Sequence, residues 1–386
     1  MVVSRLRDIP GIGVDRMGDA ADAANDPSIL RLENLDTDLR PPASALAATR
    51  AAIEADAANS YLPFRGTDGL RQAAARHVGR MAGQSYAWRS ECVIAAGGLN
   101  GILNALLALL EPGDEVLMTD PIYAGLVNRV KLAGGVPRYV PLIPTPVGWR
   151  LDLDALRAAA SPKVRVVLMM SPSMPTGSVL TRAEWGAVAD LCRKTDALLL
   201  YDAAMERILY DEAPHIHPAS LEGMRERTIT VGSVAKEQRM IGWRIGWVVG
   251  PERAITDIGL VGLSNVVCQV GIGMPGAQAA LEAPESDVAD AVAEWERRRD
   301  TLLAELDGLP VIRPNGGWSM LLDVSPFGMD GAAASKAMLA EARIAATAMS
   351  GWGSAASARY LRFVFANEPV ERLRGMGARV RRALGL

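Results

Sequence analysis

Residues 233–250 read SVAKEQRMIGWRIGWVVG and directly follow the apolar run TITVG of residues 228–232. Such a run is typical of a buried strand, so we expect Lys236 just past a strand end. Ser233 precedes this lysine, and Arg244 follows it eight residues later. A lysine whose surroundings lower its pKa can attack a carbonyl, and a hydroxyl beside a guanidinium suits a phosphate. The stretch indicates a site for a phosphate-bearing carbonyl compound; the alternative is a surface lysine in a basic turn.

A second polar group is expected at another strand end. Asp202 closes the apolar run ALLLYD of residues 197–202. A carboxylate at the tip of a buried strand needs a partner, and the cationic ring nitrogen of pyridoxal 5′-phosphate fits, since the pair would make the ring an electron sink. A structural salt bridge or a helix cap is the alternative. Together with Lys236, this carboxylate indicates pyridoxal phosphate as the cofactor, held as a Schiff base.

Three further stretches have side chains or backbone suited to ligands. In AAGGLNGILNALLALL, residues 95–110, a strand end leads through two glycines into a helix start, which favours an anion. The glycine spacing does not fit the G-x-G-x-x-G dinucleotide pattern. Tyr123 follows a strand and a proline, where it could stack on a flat cofactor or fill the core. Arg359 and Arg362 are expected on opposite faces of one strand, so that one of them can clamp a carboxylate.

The composition restricts the class of protein. The chain has 386 residues, 49% of them hydrophobic, and a net charge of −3, which does not favour nucleic acid or a membrane surface as partner. No stretch reaches the roughly 18 apolar residues of a membrane span, and the N-terminus has no apolar signal-peptide region. The widely spaced Cys92, Cys192 and Cys268 fit buried thiols in a reducing cytoplasm. His215 and His217 fit a loop better than a metal site.

The order of elements predicts the architecture. Apolar, β-rich runs alternate with helical patterns from CVIAA to IGWVVG, which predicts an α/β fold with a mostly parallel sheet covered by helices on both faces. A long charged helix from about residue 285 leads into a smaller α+β unit. The expected division is an irregular N-terminal arm at 1–30 that packs on another body, a small domain at 31–45 and 286–386, and a large pyridoxal-phosphate-binding domain at 46–285.

Taken in this order, the stretches resemble the class I and II aminotransferases, fold-type-I pyridoxal-phosphate enzymes, from about residue 30 to the end. SVAKEQRMIGWRIG is similar to the family's S-x-S-K-x-x-x-M-x-G-W-R-x-G, and YDAAMERI, GGLNGI, DPIYAG, PTG and YLRFVFAN fall where the family expects them. The resemblance implies that Lys236 carries the Schiff base and shuttles the proton, that Asp202 pairs with the pyridine nitrogen, and that Tyr123 stacks on the ring. It assigns the substrate α-carboxylate to Arg362. It also implies a homodimer with shared active sites, in which the phosphate contacts are Gly98, Leu99, Ser233, Arg244 and, from the neighbouring subunit, Tyr61.

The chain departs from the family pattern at four positions. Met174, in SPSMPTG at 171–177, stands where the family usually has asparagine, and Met205 stands where it has tyrosine. Both positions normally contact the cofactor's phenolic oxygen, and methionine has no hydrogen to donate. We therefore expect that side of the ring to be apolar and polarizable. Ala235 replaces a serine near the phosphate, and Leu35 replaces a glycine beside the substrate carboxylate.

The expected function is transfer of the amino group of an α-amino acid to a 2-oxo acid. The two methionines keep open another pyridoxal-phosphate reaction at Cα, Cβ or Cγ, namely a lyase, replacement or decarboxylation reaction, or an oxidative or annulation step in a biosynthetic pathway. A second alternative is a sensor that keeps the fold without catalysis. The retention of Lys236, Asp202, Arg244 and Arg362 argues against a sensor.

Overall fold

A computed structural model describes residues 3–9 and 11–386 of the chain. The α-helices are α1 Ser4–Arg7, α2 Val14–Ala23, α3 Ala43–Ile53, α4 Asp68–Ala82, α5 Trp88–Glu91, α6 Gly98–Leu109, α7 Ala124–Leu132, α8 Leu153–Ala158, α9 Arg182–Thr195, α10 Glu252–Asn265, α11 Met274–Leu281, α12 Glu285–Glu305, α13 Gly331–Ala337, α14 Val370–Leu373 and α15 Met376–Ala383. The strands are β1 Leu30–Arg31, β2 Cys92–Ala95, β3 Glu115–Asp120, β4 Val136–Thr145, β5 Gly148–Leu151, β6 Val164–Met170, β7 Leu198–Asp202, β8 Thr228–Ser233, β9 Gly246–Val249, β10 Val311–Ile312, β11 Ser319–Asp323, β12 Ile344–Ala345, β13 Thr347–Ala348 and β14 Tyr360–Val364. Short 3₁₀ turns and one π-helical turn, Met338–Ala342, join them. In the described part of the chain, no helix is long and apolar enough to cross a membrane.

The large unit is built on an eight-stranded sheet in the order β2-β9-β8-β7-β6-β3-β4-β5. The neighbouring strands from β8 to β4 run parallel, whereas β9 and β5 run antiparallel to their neighbours. Side chains of β6 alternate between two hydrophobic clusters: Val167 packs in the cluster that contains α9, and Val166 packs in the one that contains α6 and α10. The predicted fold class, a mostly parallel sheet with helices on both faces, is confirmed.

The smaller unit contains an antiparallel sheet in the order β10-β11-β14-β13. The long charged helix predicted near residue 285 is α12, and it leads into this sheet. Arg362 lies in β14, opposite Leu321 of β11 and Thr347 of β13. The sequence predicts Arg359 in the same strand, but it is the last residue of the 3₁₀ turn Ala355–Arg359 that precedes β14. Its guanidinium pairs with Asp323 at the surface, whereas Arg362 is buried.

The N-terminal segment differs from the expectation of an irregular arm packed on another body. Its described part contains α2, and Ala21 of this helix packs with Ile29 and Ala345 of the same chain. Met17 and Ala21 lie on the inner face of α2, a pattern too short and too weakly apolar to stand out in the sequence. Met1, Val2 and Pro10 of the arm lie outside the described residues.

Candidate active site

The ends of three parallel strands meet at one cavity of about 230 Å³. The last residues of β6, β7 and β8 are Met170, Asp202 and Ser233, and all three line it. Ligand sites of open α/β sheets occur at this edge because the carboxyl ends of parallel strands lie side by side there. The cavity brings together every site residue predicted from the sequence except Tyr61, namely Leu35, Gly98, Leu99, Tyr123, Met174, Asp202, Met205, Ser233, Lys236, Arg244 and Arg362.

Lys236 is the amine of the cavity. Its Nζ donates a hydrogen bond to the carbonyl oxygen of Leu35 at 2.7 Å and lies 5.0 Å from the ring centroid of Trp318. Burial lowers the pKa of Lys236 to about 7; the charge of Asp36 opposes this shift, and Arg244 and Arg362 add to it. A large fraction of the amine is therefore neutral near pH 7, which is the form that can act as a nucleophile or a base.

Asp202 is the carboxylate of the cavity. It is buried, and Oδ1 accepts a hydrogen bond from the backbone N–H of Ala204 at 3.1 Å. Burial raises the pKa of Asp202 to about 6, although the charges of Arg129 and Lys236 oppose the shift. Among the described residues no cationic side chain forms an ion pair with it. The carboxylate is suited to a cationic group brought in by a ligand.

The N-terminus of α6 forms the anion-binding end. Gly97 has a φ of +85°, and a Cβ at this residue would lie 2.7 Å from Nη2 of Arg244. A Cβ on Gly246 would lie 2.7 Å from the backbone nitrogen of Gly98. The glycines thus let the guanidinium and Ser233 approach the first N–H groups of the twelve-residue helix, which is a favourable place for a phosphate.

Arg129 supports this end of the cavity, and sequence reasoning missed it. Its Nε donates to the carbonyl oxygen of Leu99 at 3.0 Å and its Nη1 to that of Gly125 at 2.7 Å. The arginine therefore joins the start of α6 to α7, the helix that follows Tyr123. No motif marks it, because its role depends on a contact across 30 residues.

Tyr123 presents an aromatic ring to the cavity. A Cβ on Gly125 would lie 2.5 Å from Cε1 of this ring, so the glycine makes room for it. The Tyr123 ring also packs edge-on against Trp352, with 5.3 Å between the centroids and an angle of 60°. These contacts hold the aromatic side chain where it can face a planar ligand.

Arg362 is a buried cation whose hydrogen-bond partners are all uncharged atoms. Its Nη2 donates to the carbonyl oxygen of Glu33 and to Oγ1 of Thr347, and its Nη1 approaches Sδ of Met174 at 3.5 Å. Its Cζ lies 4.6 Å from the ring centroid of Trp352, and its Nε has no partner among the described residues. Burial lowers the pKa of Arg362 to about 10. A ligand carboxylate would supply the acceptors that this guanidinium lacks.

Met174 and Met205 are both buried and line the cavity, as predicted. The hydroxyl of Thr176 accepts the N–H of Ser178 at 3.2 Å, and Ser173 Oγ is buried without a partner among the described residues. Neither hydroxyl belongs to the cavity lining. Met174 and Met205 therefore give the cavity an apolar surface without a hydrogen-bond donor of its own, next to the guanidinium of Arg362.

Tyr61 lies outside the cavity of its own chain, with 83% of its side chain exposed. Conversely, the cavity includes residues that sequence reasoning did not assign to it: Ile12, Val14, Asn34, Met170, Ala204 and Ile241. Most are apolar. Ala204 and Ile241 lie inside the quoted stretches YDAAMERI and SVAKEQRMIGWRIG, but nothing in their residue types distinguishes them, or the other four, from core residues.

The three histidines of the chain form a separate cluster around Glu206. Nε2 of His77 and Nε2 of His215 each lie 3.2 Å from a carboxylate oxygen of this residue. The ring of His217 packs edge-on against Tyr201, and its Nε2 lies 3.3 Å from Oγ1 of Thr230. The described residues contain no group of three or more ligands that could hold a metal ion.

Comparison with known proteins shows the family of the chain. The family model "Aminotransferase class I and II" matches residues 30–376. The protein named "Probable N-succinyldiaminopimelate aminotransferase DapC" of Mycobacterium tuberculosis is 35% identical over 75% of this chain and 73% of its own length. Arginine–pyruvate transaminase AruH of Pseudomonas aeruginosa is 33% identical over 89% of this chain and 87% of its own. The solved N-succinyldiaminopimelate aminotransferase of M. tuberculosis superimposes with a TM-score of 0.91 at 30% identity, covering 99% of this chain and 100% of that one.

Proposed function

The chain belongs to the class I and II aminotransferases, which depend on pyridoxal phosphate, and we propose that its cavity binds this cofactor through Lys236 and transfers the amino group of an α-amino acid to a 2-oxo acid. One observation carries the assignment of the site. Lys236 and Asp202 line the same cavity, and burial shifts their pKa values in opposite directions, to about 7 and about 6.

The residues present fit the cofactor. Asp202 is a buried carboxylate that forms no ion pair with the described residues, which suits the pyridine nitrogen. Gly97 and Gly246 have no side chains, and this leaves space next to Ser233 and Arg244. A hydroxyl and a guanidinium at this place suit the phosphate of the cofactor. When bound, pyridoxal phosphate supplies an electron sink for the bond that breaks at the substrate Cα.

The protein's own groups then account for binding and proton transfer. Arg362 would hold the substrate α-carboxylate in a bidentate pair, while Tyr123 would hold the ring plane. Lys236 Nζ would take the proton from the substrate Cα and deliver it to the C4′ carbon of the cofactor, since a group with a pKa of about 7 can both accept and donate near neutral pH. The apolar side at Met174 and Met205 excludes water from these charges, which strengthens their interactions.

The test is to map the lysine that holds the cofactor. Borohydride reduction of the loaded protein, followed by peptide mass analysis, should locate the cofactor on Lys236 and find no adduct in Lys236→Ala. Lys163→Ala is the matched control, because Lys163 is exposed and lies outside the cavity. An adduct on another lysine of the Lys236→Ala protein would overturn the assignment.

We further propose a homodimer with shared active sites. The segment around residues 270–273 packs against the stretch that precedes Tyr61, since a Cβ at Gly271 would meet the carbonyl of Ala58. Tyr61, Val270 and Ile272 are exposed apolar side chains of these two stretches. The same segment touches Ile245, the neighbour of Arg244. A second copy on this patch would cover apolar surface beside the phosphate end, where the family resemblance assigns the partner's Tyr61.

Mixing two impaired variants tests the shared site. Lys236→Ala and Tyr61→Ala each damage every site of their own dimer, but a mixed dimer contains one intact site. Activity should therefore reappear after the two are exchanged. A fully active monomer in sedimentation would contradict the dimer.

The thiols support a reducing compartment such as the cytoplasm. Cys92, Cys192 and Cys268 are free, and burial raises the pKa of both Cys92 and Cys192 to about 12. Thiols in this state are inert and need no oxidising environment.

A further inference from the structure

The N-terminal segment lines the same cavity as Lys236 and Arg362. Ile12 and Val14 are half-buried there, on either side of the N-cap residue Gly13. The carbonyl oxygen of Ile12 accepts a hydrogen bond from Nε1 of Trp352 at 3.1 Å. The segment is therefore held to the protein beside the cavity by a defined contact.

Trp352 connects this segment to the residues that would bind substrate and cofactor. The indole is fully buried, with Cζ of Arg362 4.6 Å from its centroid and the ring of Tyr123 at 5.3 Å. Its backbone carbonyl also accepts the N–H of Ile122 at 3.0 Å. One rigid side chain thus sets the position of Ile12 relative to the guanidinium of Arg362.

The charges that one subunit contributes to the cavity leave none for a substrate side chain. Its charged lining residues, within the described part of the chain, are Asp202, Lys236, Arg244 and Arg362, and each has a proposed partner in the cofactor or the α-carboxylate. Asn34 is a neutral polar member, and the wall from the N-terminal segment is aliphatic. A second charge on the substrate would lose its water against this aliphatic wall without gaining an opposite charge from it.

We propose that Ile12 and Val14 form the wall that meets the substrate side chain and that they select α-amino acids with uncharged, apolar side chains. Trp352 acts as the positioning residue for this wall. The inference rests on the proposed function, because it takes Arg362 as the site of the α-carboxylate.

Three carboxylates of similar length test the selection without turnover. Valerate, glutarate and 4-guanidinobutyrate differ at the far end, which is neutral, anionic and cationic respectively. Calorimetric titration of the cofactor-loaded protein should show valerate binding at least about tenfold more tightly than either charged probe. Across the series from acetate to valerate, each added methylene should tighten binding about fourfold.

Variants connect this preference to the wall. Ile12→Ala should weaken valerate at least about fourfold and leave acetate within twofold, whereas Ile12→Arg should invert the order and favour glutarate. Leu6→Arg is the matched control: it places the same charge on an exposed residue of the same segment and should leave the order unchanged. Trp352→Phe keeps an aromatic ring but lacks the N–H, and it should reduce the preference for valerate while acetate binding persists.

The results of these titrations distinguish a failure of the wall proposal from a failure of the proposed function. If carboxylates bind and Arg362→Ala abolishes this, but the three probes bind equally or glutarate binds best, the wall proposal is wrong and the carboxylate site stands. If carboxylate binding is absent or indifferent to Arg362→Ala, the carboxylate site and the wall proposal both fall. An unchanged order in Ile12→Arg would likewise overturn the wall.

Discussion

Asp202 and Glu206 are buried carboxylates four residues apart, with exposed fractions of 5% and 1%. Their pKa values are nevertheless shifted in opposite directions. Asp202 receives a backbone N–H, and burial raises its pKa to about 6. Burial also opposes ionisation of Glu206, but the hydrogen bonds from His215 and His77 outweigh it and hold the pKa of this carboxyl well below its usual range.

The difference in partners separates a carboxylate that can bind a ligand, Asp202, from a carboxylate that stabilises the fold, Glu206. Glu206 is matched by imidazoles from α4 and from the loop after β7, so its partners are complete within the chain. Asp202 lines a cavity, and in the described part of the chain no cationic side chain forms an ion pair with it. A buried group with an incomplete set of partners is a stronger indication of a binding site than burial alone.

Asp202→Asn should produce the largest effect. Asparagine can still accept the N–H of Ala204 but cannot balance a ring cation, so kcat should fall by about 10²–10³, the usual effect of removing one preorganised electrostatic partner. The cofactor-free protein at pH 7 should unfold at the same temperature as the parent or higher, because a buried, poorly paired charge is gone. Steady-state kinetics and thermal unfolding measure the two; unchanged kcat would contradict the role of Asp202.

Acid should reveal opposite contributions from the two regions in the cofactor-free protein. The pKa of His217 is lowered, mainly by burial, from 6.5 to about 4. The unfolded chain then takes up the proton first, and about 3 kcal/mol of stability is lost between pH 6.5 and 4. Asp202 has the reverse sign: its pKa is raised from 3.8 to about 6, so the folded state gains about 3 kcal/mol as the pH falls through that range.

The two contributions largely cancel in the parent protein, so variants are needed to separate them. Denaturant unfolding between pH 7 and 4 should show a shallower acid loss in His217→Asn and a steeper one in Asp202→Asn. Parallel pH profiles for the two variants would refute the assignment of opposite signs.

Glu206→Gln should act on stability and spare catalysis. The amide keeps the shape but loses the charge-assisted bonds to His77 and His215, which should cost about 1–3 kcal/mol of unfolding free energy. Denaturant titration measures the loss, and kcat of the folded fraction should stay within twofold of the parent. A loss of kcat as large as that of Asp202→Asn would place Glu206 in the site rather than the scaffold.

Met174→Asn should have the smallest effect. The family resemblance puts this residue beside the cofactor's phenolic oxygen, where asparagine would provide the donor that methionine lacks. A hydrogen bond of about 0.5–1.5 kcal/mol should lower the pKa of the pH-dependent visible absorbance of the loaded protein by up to about one unit. Met205→Tyr should shift it in the same direction, and a rise in either variant would reject the idea.

Much of the site follows from patterns local in the sequence. The runs that end near Asp202 and Ser233 have the composition of buried strands, and parallel strands bring their carboxyl ends to one edge. The predictions of family, fold and cofactor are confirmed. The role of each residue, the division at 1–30, 31–45, 46–285 and 286–386, and the contribution of Tyr61 across a dimer stay predictions.

Other features depend on contacts that no local pattern contains. Ile12 meets Trp352 across 340 residues, and His77 meets Glu206 across 129. Hydrophobic periodicity reports which face of an element is buried, but it does not report which distant element covers that face. The sequence by itself was therefore sufficient to predict where the strands end, that Lys236 is the lysine of the site, and which class of cofactor it binds. Only the tertiary structure decided which of two buried carboxylates kept an incomplete set of partners and which apolar residues became a wall of the cavity, because both depend on long-range packing.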